Sequence, residues 1–268
     1  MDLQEMKERS RNVWGLGDYS PTGRQLEPVS VALVESLGIG AGHRVLDVAA
    51  GNGNCALAAA RAGASVVASD FSPVMIERGR ERTVAAEVDV AWEEADAAAL
   101  PFEDGAFDRV TSVFGAIFAP EQELTARELA RVTAPGGVMG MTAWTVDGLI
   151  ARMIRELRPS DAPAPPEDAP DPMAWGDPDH VERLFADVAG ELSIARRTVT
   201  FSYASWDQWR RDFGVHGMMV VMKNELPPEE FEALLSQARD FVAGEGRVDG
   251  DGVAYDAEYL EIRVDVPA

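Results

Sequence analysis

The run Val45-Leu46-Asp47-Val48-Ala49-Ala50-Gly51-Asn52-Gly53-Asn54 constrains this chain more than any other stretch. Val45, Leu46 and Val48 are apolar and partly β-branched, as a parallel strand buried on both faces requires. Gly51 and Gly53 remove side chains where a ligand must approach backbone. The alanine-rich stretch from Cys55 to Ala62 then reads as a helix. Its N-terminus offers free N–H groups and a partial positive charge. Strand, glycine loop and helix in that order suit a nucleotide-like ligand.

The dinucleotide fingerprint needs glycine at three spaced positions. Here those positions hold Ala49, Gly51 and Asn54, so two of the three fail. Asp47 at the loop entrance would repel a pyrophosphate. It suits a ligand that carries a cationic amine or sulfonium beside an adenosine.

Further along, Ala64 to Ser69 reads as a second strand that ends at Asp70-Phe71-Ser72-Pro73. An acid there is placed to accept from both hydroxyls of a ribose. Ser72 can cap the next helix, with Pro73 in its first turn. Met75 and Ile76 follow on that helix, on the ligand side. Val88 to Trp92 is a third strand, which leads into Asp96-Ala97 and Leu100-Pro101-Phe102. After the turn around Phe107-Asp108, a fourth strand spans Arg109 to Phe114. Ligands in open α/β sheets sit at strand carboxyl ends, which makes Ser112, Val113 and Phe114 candidates for the wall of the site. Pro135-Gly136-Gly137 turns the chain into a fifth strand, Val138 to Trp144.

These motifs, in this order, resemble those of class I S-adenosylmethionine (SAM) dependent methyltransferases. The stretch from Asp96 to Asp108 is similar to that of the methyltransferases of ubiquinone and menaquinone biosynthesis. The strict form of the first motif has glycine where this chain has Ala49. The resemblance implies a Rossmann-like α/β fold with about seven strands, mostly parallel, the last antiparallel, plus a helical cap. It implies SAM as cofactor and S-adenosylhomocysteine as product. It places Asp47 near the methionine end, and Ala49, Gly51 and Gly53 under the ribose. Asp70 would hold the ribose, Phe71 and Met75 flank adenine, and Asp96 and Ala97 read the adenine edge. The expected plan is a helical cap over 1–40, a SAM-binding core over 41–144, and substrate-cap helices with the last strands over 145–268.

A helix is expected from Leu3 to Val13, then a loop Trp14-Gly15-Leu16-Gly17-Asp18-Tyr19-Ser20-Pro21, then a helix from Arg24 to Leu37. Trp14 and Tyr19 either plug the edge of the core or fold over the cofactor, since aromatic faces attract a sulfonium. Beyond Trp144 the reading gives a stiff proline-rich loop over Pro159 to Pro172, helices from Asp177, Ser205 and Pro227, and closing strands over Ser193–Tyr203 and Tyr259–Val266. Tryptophans and methionines concentrate there and suggest an apolar substrate chamber.

His43 and His180 read as surface residues. His216 has Phe213, Val215, Met218 and Met219 around it, and is the candidate proton acceptor. One cysteine excludes an intrachain disulfide, and no metal-ligand spacing exists. The net charge of −22 makes nucleic acid and anionic membranes poor partners. No signal-like or bilayer-length apolar segment is read, so the expected location is cytoplasmic. A small-molecule acceptor remains, and the oligomeric state stays open. Two alternatives stand beside methyl transfer. One is a SAM-binding protein of the same fold that catalyses a rearrangement or cyclisation. The other is an NAD(P)-dependent oxidoreductase.

Overall fold

The computed structural model describes residues 3–158 and 170–268. Most of the expected proline-rich loop, residues 159–169, lies outside them. The chain opens with helices α1 (Leu3–Leu16) and α2 (Ser20–Ser36). Strand and helix then alternate: β1 (Arg44–Val48), α3 (Asn54–Arg61), β2 (Ser65–Asp70), α4 (Pro73–Ala85), β3 (Val90–Glu94), β4 (Phe107–Val113), α5 (Gln122–Val132) and β5 (Thr133–Trp144). A 3-10 turn at Ala116–Phe118 follows β4. Next come α6 (Leu149–Glu156), a second 3-10 turn (Pro172–Gly176), α7 (Pro178–Phe185) and β6 (Glu191–Tyr203). Last are α8 (Trp206–Gly214), α9 (Gly217–Glu225), α10 (Pro228–Glu245), β7 (Arg247–Asp249) and β8 (Gly252–Asp265).

The sheet order is β3-β2-β1-β4-β5-β8-β6. Strands β1 to β5 are parallel, and β8 runs antiparallel between β5 and β6. Helices cover both faces, so a central strand must be apolar on both. In β1, Val45 belongs to one buried cluster, while Leu46 and Val48 belong to the other. That double burial is the physical reason the strand has no alternating polar face. No helix of the described residues is long and apolar enough to cross a membrane.

Seven strands form the continuous path, as expected, and an eighth, the three-residue β7, pairs with β8 where only a polar turn was expected. The β6–β8 pair continues past the end of β5. Trp144 of β5 faces Tyr259 of β8, yet β6 pairs with β8 as far as Tyr203–Val253. This projecting ribbon stands above the carboxyl edge of the sheet.

The N-terminal reading needs correction. Trp14 lies in the last turn of α1, and α2 starts at Ser20, so the connecting loop shrinks to Gly17-Asp18-Tyr19. Gly15 does not break α1, because it sits on α4, with space for a Cβ only 3.4 Å from Val74. Pro21 occupies the first turn of α2, where a missing N–H costs nothing.

Candidate functional site

The carboxyl ends of β1, β2 and β4 meet in a patch of unusual backbone. Gly51 and Gly53 have φ of +57° and +83°. Ala49 and Phe114, both with side chains, have φ of +52° and +54°. Such strain clusters at functional sites because surrounding contacts must over-determine it. The loops that carry them meet: a Cβ on Gly115, next to Phe114, would collide with the Ala49 carbonyl.

Two carboxylates lie beneath. Asp70, at the end of β2, is 5% exposed. One oxygen accepts the Gly51 N–H at 2.8 Å and the other the Ser72 N–H at 2.9 Å. Burial lifts its pKa to about 6, against the lowering effect of those N–H groups. Asp47, 1% exposed, accepts the Ala56 N–H at 2.9 Å and the Thr111 hydroxyl at 3.0 Å. Burial lifts it to about 7; Thr111 and Ala56 oppose the shift and Asp70 adds to it. Asp47 therefore faces the first turn of α3 and β4. Its part in the geometry is to hold the helix behind the glycine loop.

Above the patch lies a cover. Trp14 packs edge-on against Phe118, with ring centroids 4.8 Å apart, and tilted on Tyr19 at 5.2 Å. His216 stands at the position before α9, and its ring lies 4.6 Å from Tyr19 and 6.4 Å from Trp14. Burial lowers its pKa to about 4, although part of the residue still meets solvent. Its imidazole has no hydrogen-bond partner among the described residues. The Tyr19 hydroxyl accepts the Gly217 N–H at 3.1 Å, and burial raises its pKa to about 12. Asp18 N–H donates to Val215 O at 2.8 Å. A Cβ on Gly217 would strike the Tyr19 hydroxyl oxygen and the Val13 carbonyl, so only glycine lets these segments meet.

Helix α1 is held differently: none of its residues is fully buried. Lys7 pairs with Asp96 at 2.7 Å and also with Glu121, and Arg11 pairs with Glu94. Arg78 of α4 donates to the Gly17 carbonyl.

Comparison with known proteins fits this geometry. The family described as a methyltransferase domain matches residues 45–137. An uncharacterized protein of Mycobacterium tuberculosis is 42% identical over 191 residues, covering 71% of this chain and 69% of its own. The YcgJ protein of Bacillus subtilis shares the fold, with TM-score 0.62 at 18% identity over 90% of this chain and 99% of that one. The chain belongs to the class I SAM-dependent methyltransferases. The demethylmenaquinone methyltransferase of Clavibacter sepedonicus is 46% identical over 107 residues, 40% of this chain and 43% of that one. The nicotinamide oxidoreductase alternative falls with this membership.

Within this methyltransferase the sequence-derived candidates separate into three groups. Ala49, Gly51, Gly53 and Asp70 come together at the strand ends. Trp14, Tyr19 and His216 come together in the cover. The others have structural partners. Ser112, expected in the wall of the site, donates its hydroxyl to Val48 O at 2.8 Å and accepts from Ala116 N at 2.9 Å. It ties β1 to the 3-10 turn. Phe114 stacks on Trp144, with centroids 3.9 Å apart, and Val113 is half-buried in the core beside it. Met75 is buried on α4, and Phe71 remains half-buried. Asp96 accepts the Ala98 N–H at 2.9 Å and holds Lys7, while Ala97 is buried. Ser72 sits at the cap position of α4, but its hydroxyl is buried without a partner, so the expected side-chain cap is not made.

His43 lies before β1, at the far end of the sheet, and His180 bonds Gln122 at 2.7 Å. No metal-ligand cluster exists among the described residues. Sequence reasoning missed Arg82, Asn52 and Asn54, which clamp the glycine loop from outside. It also missed Lys7.

The residues at the strand ends fit SAM. Open space surrounds the position of a Cβ on Gly51, so a ligand can lie against that backbone. Each Asp70 oxygen spends one lone pair on a backbone N–H, and a carboxylate oxygen offers a second.

Proposed function

We propose that this methyltransferase acts on a small, uncharged, largely apolar acceptor, docked between the strand ends and the cover. The observation that carries the reading is the group Trp14, Tyr19, Phe118 and His216 over the strained loops after β1 and β4. Phe118 lies on the turn that follows β4, and Trp14 rests on it. The bound cofactor supplies a methyl group already activated on a sulfonium.

In this reading Asp70 accepts from the ribose hydroxyls, and Gly51 and Gly53 give the ligand backbone contact. Asp96 turns from Lys7 towards the adenine edge. Trp14 and Tyr19 shield the transferred group from water, and their ring faces favour the cationic sulfur. The protein gains most of its rate from holding nucleophile and methyl in line. His216 is neutral at pH 7, since burial keeps its pKa near 4. It accepts a proton from the acceptor atom where one must leave, as a weak base whose reach is set by position.

The low basicity of His216 favours keeping a second reading, SAM as a structural cation in a rearrangement or cyclisation. The [4+2]-cyclase SpnF shares the fold, with TM-score 0.56 at 18% identity over 90% of this chain and 81% of that one. The phosphoethanolamine N-methyltransferase 2 of Haemonchus contortus also shares it, with TM-score 0.59 at 15% identity over all of this chain and 61% of that one. Neither likeness selects an acceptor. A panel of planar phenols and quinols incubated with methyl-labelled SAM separates the readings. Label in the product supports methyl transfer. Substrate turnover with the label still on SAM supports the cyclisation reading and sinks the first.

A further inference from the structure

The glycine loop is clamped from outside by one side chain. Arg82 stands on α4, with its side chain 30% exposed. Its Nη1 donates to the Asn52 carbonyl at 3.0 Å, to Asn52 Oδ1 at 3.1 Å and to Asn54 Oδ1 at 2.6 Å. Its Nη2 donates to Glu27 Oε1 on α2 at 2.9 Å. Asn54 Nδ2 in turn donates to the Gly23 carbonyl of α2 at 2.8 Å. One guanidinium thus joins α2, the loop and α4. Its planar fork suits several acceptors at once, which an ammonium cannot serve.

The loop has reason to need a clamp. Gly51 and Gly53 hold φ of +57° and +83°, which glycine visits freely and leaves as freely. A loop that samples other conformations must give them up when a ligand binds, and affinity falls by that ordering cost. Asn52 lies between the two glycines and Asn54 opens α3, and both side chains accept from Arg82.

We propose that Arg82 is a positioning residue for cofactor binding: through Asn52 and Asn54 it holds the Gly51–Gly53 loop in its ligand-ready shape and ties that shape to α2. The proposal rests on the reading of this loop as the SAM site. Arg82 touches no ligand; it acts on the backbone that does. The Asp70 carboxylate holds the Gly51 N–H and Arg82 holds the Asn52 carbonyl, so the loop is gripped at two successive residues by different elements.

Titration calorimetry with SAM and with S-adenosylhomocysteine tests it on the full chain. Arg82→Ala should weaken both ligands alike by about tenfold, because the lost restraint is common to both. Arg82→Lys should recover part of the loss, since an ammonium can still reach Asn54 Oδ1. The double variant Arg82→Ala with Asn54→Ala should bind no worse than Arg82→Ala alone, as expected of residues in one network. Amide exchange at residues 51–54 without ligand should quicken in Arg82→Ala, while Arg80→Ala, on the same helix, leaves both readouts as in the wild type. Should Arg82→Ala fold poorly, Asn54→Ala keeps the Arg82–Glu27 pair and must by itself weaken binding several-fold. Equal affinity of Arg82→Ala and wild type, or an additive double variant, overturns the proposal while leaving the SAM site standing. A wild type that fails to bind SAM removes the site reading and the proposal together.

Discussion

The floor and the cover of this site are held by different physics. In the floor, Asp47 and Asp70 are almost wholly buried, and their oxygens accept from backbone N–H groups and one hydroxyl. In the cover, α1 has no fully buried residue and is tied down by Lys7 and Arg11 on acidic partners. Buried, directional bonds do not open without unfolding the strand ends. Ion pairs that stay partly exposed, as these do, are weak, screened by salt and easily re-formed. The contrast separates a permanent seat from a door. It also matches the charge of the chain, −22 overall: the door contributes Lys7 and Arg11, and the body supplies their acidic partners.

The sharpest test of the contrast lies where floor and cover share the chemistry. His216→Ala should lower kcat by about a hundredfold with SAM affinity intact, if the imidazole accepts the proton. With its pKa near 4, the lower limb of the wild-type pH–rate profile should fall near pH 4 and vanish in the variant. Full activity would return His216 to packing and place the whole acceleration in positioning.

Asp70→Ala should weaken SAM binding by about 1.5–3 kcal/mol, the loss of a charged acceptor. The wild-type floor should also be pH-sensitive. Without ligand, Asp70 titrates near 6 and Asp47 near 7, and a cationic ligand favours both ionised forms. Binding must then release protons, and SAM affinity should rise as pH climbs through that window. Calorimetry in buffers of different ionisation enthalpy, between the two values, reads the release directly; its absence would mean the acids do not sense the ligand.

Asp47 gives a stability test with a definite sign. Its folded pKa is raised above the unfolded value, so the native state binds the extra proton. Stability is highest below about pH 4 on this account and is lost as pH rises towards 7. Asp47→Asn keeps an acceptor for Ala56 N–H and an amide for the Thr111 hydroxyl. It should therefore raise stability at pH 8 by about 2 kcal/mol and flatten the pH dependence. A lower melting temperature at pH 8 would show that the charge is wanted even without ligand.

The smallest effect belongs to the door. Lys7→Ala should cost about 1 kcal/mol or less in global stability, yet quicken amide exchange across α1 several-fold. Added salt should do the same to the wild type and nothing further to the variant. If exchange in α1 instead matches that of β1, the cover is as permanent as the floor.

The floor was legible in the sequence because its signals are local. Val45 to Asn54 contains strand, loop and helix start within ten consecutive positions of one motif, and Asp70 ends the next strand in the same manner. Parallel strands buried on both faces leave a continuous apolar run, so β1, β2 and β4 were found close to their true limits. The cover was less legible. Two glycines and a proline read as a loop around Trp14, but packing on Val74 let α1 run through Gly15. Ser112 has the position of a site residue and the partners of a sheet residue, a difference that only its two backbone contacts reveal. Arg82 lies 30 and 28 positions from the asparagines it clamps, and an arginine on a helix gives no sign of such a duty.

The clasp between Tyr19 and Gly217 joins residues 198 positions apart in sequence. Its chain entropy must be surrendered before the contact returns anything, so it belongs to the last stage of folding. The sheet from β1 to β5 can assemble while both segments of the clasp are still free. A contact that forms after the transition state changes the rate of leaving the native state and not the rate of reaching it. Gly217→Ala, which forces the two backbones apart, should therefore speed unfolding in denaturant while refolding keeps its wild-type rate. On that account the clasp sets how long each folded molecule lasts.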